Sequence, residues 1–369
     1  MDTDFIVIGG GVAGASAGAA LAAHGKVVVL EREDQPGYHT TGRSAALYTE
    51  NYGNRVIRIL TIASRPYFTE HGFLAPRGVL WLARADQSAT IDRALAEAAE
   101  FPQRFEEISP QAAETLLPVL APGYLGRAVH EPDATDMDVH GIHQSYLRRL
   151  REAGGSLVTA TGDARATRTG KGWEVETATG TFRAPIVVNA AGAWADAVAA
   201  AAGVRPIGLV PKRRTALTFD APAGMPVHGW PMGLDVDETF YFKPEAGRVL
   251  ASPADETPSE PCDAQPDEMD VALCVDRIER ATTLRVRRIT HKWAGLRSFV
   301  ADKTPVVGEA PDAPGFIWCA GQGGYGIMTS PAMSRAVAAV VTTGRLPDDL
   351  RAMGLGEHEL AAGRLQAAA

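Results

Sequence analysis

Asp4-Phe5-Ile6-Val7-Ile8 runs straight into Gly9-Gly10-Gly11-Val12-Ala13-Gly14, and the reading of that junction decides the fold. A short apolar run bounded by glycines reads as a buried parallel strand. The glycines let the backbone turn sharply, approach a pyrophosphate and open a closely packed helix. The following Ala15-Ser16-Ala17-Gly18-Ala19-Ala20-Leu21 is small enough to lie flat on a sheet, and the positive end of its dipole faces the phosphates. A second apolar strand, Val27 to Leu30, ends on Glu31, where the fingerprint needs a carboxylate to accept hydrogen bonds from a ribose. A tight glycine turn without a ligand is the bland alternative. Strand, glycines, helix, strand and acid in register favour a dinucleotide. An acid at Glu31 repels a 2′-phosphate, so the ligand is FAD or NAD rather than NADP.

At 369 residues the chain is long enough for about two domains and a large core. Its 46% hydrophobic and 22% charged residues are ordinary for a globular protein. A formal net charge of -8 gives no reason to expect a nucleic-acid partner. Cys262, Cys274 and Cys319 show neither metal-ligand spacing nor a disulfide framework, as suits a reducing cytoplasm. The first strand begins almost at once, leaving no room for a signal peptide. No apolar run approaches the ~20 residues that span a bilayer. A cytoplasmic protein is expected.

Outward from the junction, Thr40-Thr41-Gly42-Arg43-Ser44 reads as a helix start; it is either a simple cap or a turn presenting amides and hydroxyls to the cofactor. Gly78 to Leu82 reads as a strand, Ala89 to Phe105 as an amphipathic helix, and Asp136 to Ala153 as another helix. The last carries His140 and His143, three apart on one face. With no third ligand nearby, a solvated helix is preferred over a metal site. Further on, a buried strand breaks into Asn189-Ala190-Ala191-Gly192, whose small residues let backbone pack against the adenosine half of a cofactor or a neighbouring helix. Arg214 to Phe219 and Glu238 to Lys243 are strand-like, and Pro253 to Asp270 reads as a surface loop. Phe316 to Ala320, the glycine loop 321–326 and the helix from Ser330 to Val341 repeat the opening logic. Residues 361–369 read as a frayed end.

Taken in order, these pieces resemble the D-amino acid oxidase superfamily of FAD-dependent oxidoreductases, nearest to bacterial D-arginine dehydrogenase and related D-amino acid dehydrogenases. The likeness covers essentially the whole chain. It is carried by 31–33, 35–39, 41–46, 188–194, 211–214, 293–302 and 322–327. It implies an α/β (α+β overall) fold in which a Rossmann-like FAD-binding domain interleaves with a mixed-sheet substrate domain. The FAD domain is expected over 1–53, 140–210 and 290–369, the substrate domain over 54–139 and 211–289. The match chooses FAD over NAD. It implies a cofactor site at Gly9, Gly11, Val12, Ala13, Gly14, Glu31, Arg32, Thr41, Gly42, Arg43, Ser44, Ala191, Gly192, Trp194, Gly323, Tyr325, Gly326 and Ile327. No cysteine falls in the stretch 295–298, near which some relatives tether their flavin, so the FAD is expected to be non-covalent.

Oxidising an amino acid requires a gripped carboxylate, a neutral amine and a Cα hydrogen aimed at flavin N5. Arginine suits the first task, since its planar fork meets a carboxylate bidentately. By family match Arg214 and Arg297 take this role, with the Tyr241 and Tyr52 hydroxyls beside them and the Gly324 carbonyl toward the amine. A lone arginine is otherwise a surface charge and a strand tyrosine core. Arg213 adjoins Arg214, and a strand sends the two to opposite faces. No strong general base is apparent, which fits hydride transfer from a deprotonated amine to give an imino acid, then a 2-oxo acid and ammonia. Tyr52 is expected on a loop that closes over the site.

Leu47, Met232 and Met328 are expected in an apolar side-chain pocket, and Val79 stands where relatives place an acid for a guanidinium. An uncharged, bulky D-amino acid is therefore expected, unless Glu50 turns inward and restores a basic preference. Alternatives are a glycine or sarcosine oxidase, a 2-hydroxy acid dehydrogenase, a flavin enzyme acting on a tRNA base, and a non-enzymatic flavin-binding protein. The electron acceptor is not encoded in these motifs.

Overall fold

The computed structural model describes residues 2–170, 172–222 and 224–365. Its first large sheet has six strands in the order Val306–Ala310, Ala313–Ala320, Ile186–Asn189, Phe5–Ile8, Val27–Leu30, Ser156–Val158. All neighbours run parallel except the Val306–Ala310 edge. Both Phe5–Ile8 and Val27–Leu30 are buried throughout, as the centre of a parallel sheet covered on two faces must be. Alternation divides their side chains between two cores. Phe5, Val7, Val27 and Val29 face one; Ile6, Ile8, Val28 and Leu30 face the other.

The first core lies under helices Val12–Leu21, Val139–Glu152 and Gly326–Thr343. Small residues on Val12–Leu21 allow this close stack. A Cβ on Gly14 would stand 1.8 Å from the Gly9 carbonyl oxygen, and one on Gly18 would stand 2.7 Å from Val29. The second core is covered by an antiparallel three-stranded sheet, Arg165–Thr169, Gly172–Thr177 and Gly180–Ala184, through Trp173, Val175 and Phe182. Strands leave Phe5–Ile8 on both sides, so the order reverses beside Ile8 and a crevice opens at the carboxyl ends.

The second large sheet has nine strands. Its backbone is an antiparallel pair, Val210–Asp220 with Ile289–Phe299, and its far half contains Met232–Asp235, Val79–Ala83 and Arg127–Glu131. The long pair fixes the arginines: Arg297 lies opposite Lys212, and Arg214 opposite Gly295.

Several expectations are corrected. Helix Ser88–Ala98 stops well before Phe105. Residues 135–137 form a strand, and Asp138 caps Val139–Glu152 by accepting from the Gly141 N–H at 2.8 Å. His143 does not face solvent but is buried. The loop 253–270 is anchored by buried Ala264, whose carbonyl accepts from Arg43 at 3.0 Å. The expected boundary at 53/54 does not divide the packing. Helix Arg55–Ile62 buries Val56, Ile57, Ile59 and Leu60 in the core beneath the nucleotide sheet, because its apolar stripe matches Gly326–Thr343 rather than the second sheet. Of the end expected to fray, Ala362–Leu365 forms a turn with Ala362 buried; residues 366–369 lie outside the described residues.

Candidate active site

At the carboxyl ends of the first sheet lies a cavity of about 590 Å³. Of the residues expected to hold a cofactor, it is bordered by Gly9, Gly11, Val12, Ala13, Glu31, Arg32, Thr41, Arg43, Ser44, Ala191, Gly192, Trp194, Gly323, Gly326 and Ile327. Three others stand behind the wall. Gly14 supports Gly9 from below; the Gly42 N–H donates to the Gly37 carbonyl at 2.8 Å; Tyr325 packs edge-on against Tyr52 and Phe299.

The turns that frame the cavity are bound to each other. Glu31 accepts from the N–H of Gly10 at 2.8 Å and of Glu33 at 2.9 Å. Burial pushes its carboxyl up, and these two N–H groups partly offset that. Two lone pairs of Glu31 are thus used to hold the loop while the carboxylate still borders the cavity. The Thr41 hydroxyl accepts from the Val12 N–H at 3.0 Å, tying the Thr40–Arg43 turn to the helix start. Trp194 is flanked by the Arg32 guanidinium, 4.9 Å from its centroid, and by His39 at 4.7 Å. The 161–165 segment also borders the cavity. It carries no motif; it arrives because Ser156–Val158 ends at the same sheet edge, where the Glu31 N–H donates to the Val158 carbonyl at 2.8 Å.

A smaller cavity of about 70 Å³ adjoins the large one. Ser44, Ala45, Arg214, Tyr241, Arg297, Gly324 and Ile327 border both, so the two paired strands of the second sheet meet the nucleotide domain at this seam. Strand alternation separates the adjacent arginines. Arg214 faces the cavities, its Nε donating to the Asp255 carbonyl at 2.9 Å. Arg213 turns to the helix Glu268–Ala281, pairing with Asp270 at 2.8 Å.

Arg297 has no carboxylate partner among the described residues; its Nη1 donates to the Tyr52 hydroxyl at 3.4 Å. Burial works against its charge, but the oxygens of Tyr52 and Tyr241 hold its pKa above the ordinary value. Gly324 lies against this guanidinium: a Cβ there would stand 2.8 Å from Arg297 Nη1. Tyr52 in turn donates to Glu238 at 3.3 Å, across the mouth of the small cavity.

Leu47, Met232 and Met328 line the small cavity with Val79, Trp81 and Leu234. Glu50 does not. It is buried the other way, accepting from the Tyr48 hydroxyl at 2.6 Å and pairing with Arg65 at 2.8 Å. Glu131 was not singled out by the sequence. It is buried behind the cavity and accepts from the Thr49 hydroxyl at 2.7 Å and the Trp81 N–H at 3.4 Å. Burial pushes its carboxyl up, and the Thr49 hydroxyl pulls the other way. Both donors on that wall are thereby committed to Glu131. No cluster of three metal-ligating side chains occurs among the described residues.

A family model described as DAO, FAD dependent oxidoreductase, matches residues 4–340. The chain belongs to the FAD-dependent oxidoreductase family. Among curated relatives of this flavoprotein, glycine oxidase of Geobacillus kaustophilus is 24% identical over 96% of the chain and 97% of the relative. Human mitochondrial sarcosine dehydrogenase is 26% identical over 66% of the chain. The chain spans only 28% of that relative's length, and 36% of a bovine FAD-dependent oxidoreductase domain-containing protein. The crystal structure of L-proline dehydrogenase from P. horikoshii superposes with a TM-score of 0.83 at 21% identity, covering 99% of this chain and 98% of that one. That likeness shows the fold.

FAD is the cofactor of this oxidoreductase, and the residues present fit it. The cavity is of the size that holds a large ligand. A Cβ on Gly9 would meet the Ala190 carbonyl oxygen at 2.4 Å, so the loop approaches the turn at 189–192 as closely as backbone allows. Glu31 and Trp194 border the cavity beyond the ends of Val27–Leu30 and Ile186–Asn189, and the Gly323–Gly324 turn opens onto the small cavity. Among the described residues no helix is long and apolar enough to cross a membrane.

Proposed function

We propose that the protein oxidises the Cα–N bond of a D-amino acid with an uncharged side chain, giving the imino acid that hydrolyses to a 2-oxo acid and ammonia. The observation that carries this reading is Arg297, a guanidinium without a carboxylate partner among the described residues, on the seam shared by a cofactor cavity and an apolar pocket. A substrate carboxylate supplies the missing partner through a bidentate contact. Arg214 borders the same seam, and Tyr241 and Tyr52 bring hydroxyls to it. When bound, the flavin supplies the acceptor for the hydride from Cα.

Apart from these groups, the only ionisable side chain among the described residues lining the small cavity is Glu238, at its mouth. The substrate amine is therefore taken in its neutral form, with the Gly324 backbone beside it. Holding carboxylate and amine in place contributes through proximity. A charged substrate side chain would meet Leu47, Val79, Met232 and Met328 with no partner, which is costly. FAD attachment is read as non-covalent. None of the cysteines borders either cavity, and burial pushes the thiols of Cys274 and Cys319 up to about 12. Release of all the flavin on denaturation checks this.

A second reading, oxidation of glycine or a small secondary amine, is favoured by the small cavity's volume and by the likeness to glycine oxidase. An anaerobic visible spectrum against a substrate panel decides between them. Bleaching by D-leucine, D-methionine or D-phenylalanine ahead of D-arginine is expected. Bleaching by glycine or sarcosine alone selects the second reading, and a large D-arginine advantage overturns the uncharged preference.

Tyr52→Phe removes the hydroxyl that Arg297 and Glu238 share. A hydrogen bond of about 1 kcal/mol predicts a rise in KM of about fivefold, with the flavin spectrum unchanged. An unaltered KM separates Tyr52 from the substrate.

A further inference from the structure

His143 is buried beneath the cofactor loop, and nothing in the reaction described above uses it. Its Nε2 lies 2.8 Å from the Gly10 carbonyl oxygen. A carbonyl only accepts, so this nitrogen carries the proton and donates. The ring also lies beside Gly37, where a Cβ would stand 3.1 Å from its Cε1. Burial keeps the imidazole pKa below its ordinary value, so the group works as a neutral donor. His140, one turn earlier, is exposed.

Gly10 is consequently held at both ends: its N–H donates to Glu31 at 2.8 Å and its carbonyl accepts from His143. In a trans peptide the carbonyl of one residue and the N–H of the next point in opposite directions, and no peptide among the described residues is cis. With the Gly10 carbonyl drawn down to helix Val139–Glu152, the Gly11 N–H is turned away from that helix, toward the cavity that Gly11 borders. We infer that His143 is a positioning residue for the cofactor: by gripping the Gly10 carbonyl it aims the Gly11 N–H at the anionic part of FAD.

The test is FAD release from holoenzyme on serial dilution, followed by flavin fluorescence, for the parent, His143→Gln, His143→Asn, His143→Leu and His140→Gln. Glutamine places an amide N–H near the Nε2 position, whereas asparagine is too short to reach. The parent, His140→Gln and His143→Gln are expected to release FAD at the same concentration within about threefold. His143→Asn and His143→Leu are expected to release it at concentrations about tenfold higher, the loss of one buried hydrogen bond. Tryptophan-monitored unfolding in saturating FAD checks that each variant is folded. If His143→Leu does not fold, the glutamine–asparagine comparison still decides. Release from His143→Leu at the parental concentration overturns the inference. So does equal weakness of the two amide variants, which is what a role in packing alone predicts.

Discussion

Arg297→Ala is expected to lower kcat/KM by about 10²–10³-fold while the protein stays yellow. Removing one partner of a buried, hydrogen-bonded charge pair costs about 2–5 kcal/mol, and 1.4 kcal/mol is a factor of ten. Among the described residues Arg297 pairs with no carboxylate and donates to the Tyr52 hydroxyl, so truncation leaves no orphaned carboxylate there. The loss therefore falls on substrate capture and the transition state rather than on folding. Arg297→Lys should recover only part of it, because an ammonium is a point charge that cannot fork. Steady-state kinetics beside a visible spectrum checks both. Unchanged turnover in a flavin-loaded Arg297→Ala would falsify its place in the site.

Gly14→Ala should have a comparable effect by a different route. The added methyl would stand 1.8 Å from the Gly9 carbonyl oxygen and 3.0 Å from its carbon, both backbone atoms. Neither can swing aside as a side chain does, so the Gly9–Gly11 turn or the Val12–Leu21 helix must shift. Overpacking of this kind costs about 1–3 kcal/mol when side chains absorb it. With backbone on both sides, about 3 kcal/mol or more is expected, with loss of bound FAD. Gly229→Ala is the control, since nothing lies within 4 Å of a Cβ there, and it should leave colour and Tm unchanged. A yellow Gly14→Ala protein with the parental Tm overturns the packing argument.

The sequence was most legible where local periodicity and tertiary role coincide. Phe5–Ile8, Val12–Leu21 and Val27–Leu30 read correctly because an apolar run, a small-residue run and glycines leave one arrangement. The separation of Arg213 from Arg214 also followed from strand alternation, although Asp270, the acid nearest Arg213, comes from a distant helix. His143 was misread because a polar residue on an amphipathic helix carries no local sign of burial; its partner is a carbonyl 133 positions away. For Glu50 the sequence left its orientation open; Tyr48 and Arg65 capture it. Glu131 gave no signal at all, since its value lies in two donors from other segments, Thr49 and Trp81.

The interleaving of the first sheet also sets a timetable for synthesis. Phe5–Ile8 pairs with Ile186–Asn189, which pairs with Ala313–Ala320, while Val12–Leu21 packs on Gly326–Thr343. A ribosome releases the glycine turn well before the strand and helix that complete its cradle. Pairings of such sequence separation form late, and an exposed apolar strand in a growing chain is a liability. Flavin capture thus waits until residues 313–343 have been made. Binding then adds RT ln(1 + [FAD]/Kd) to the stability of the completed fold.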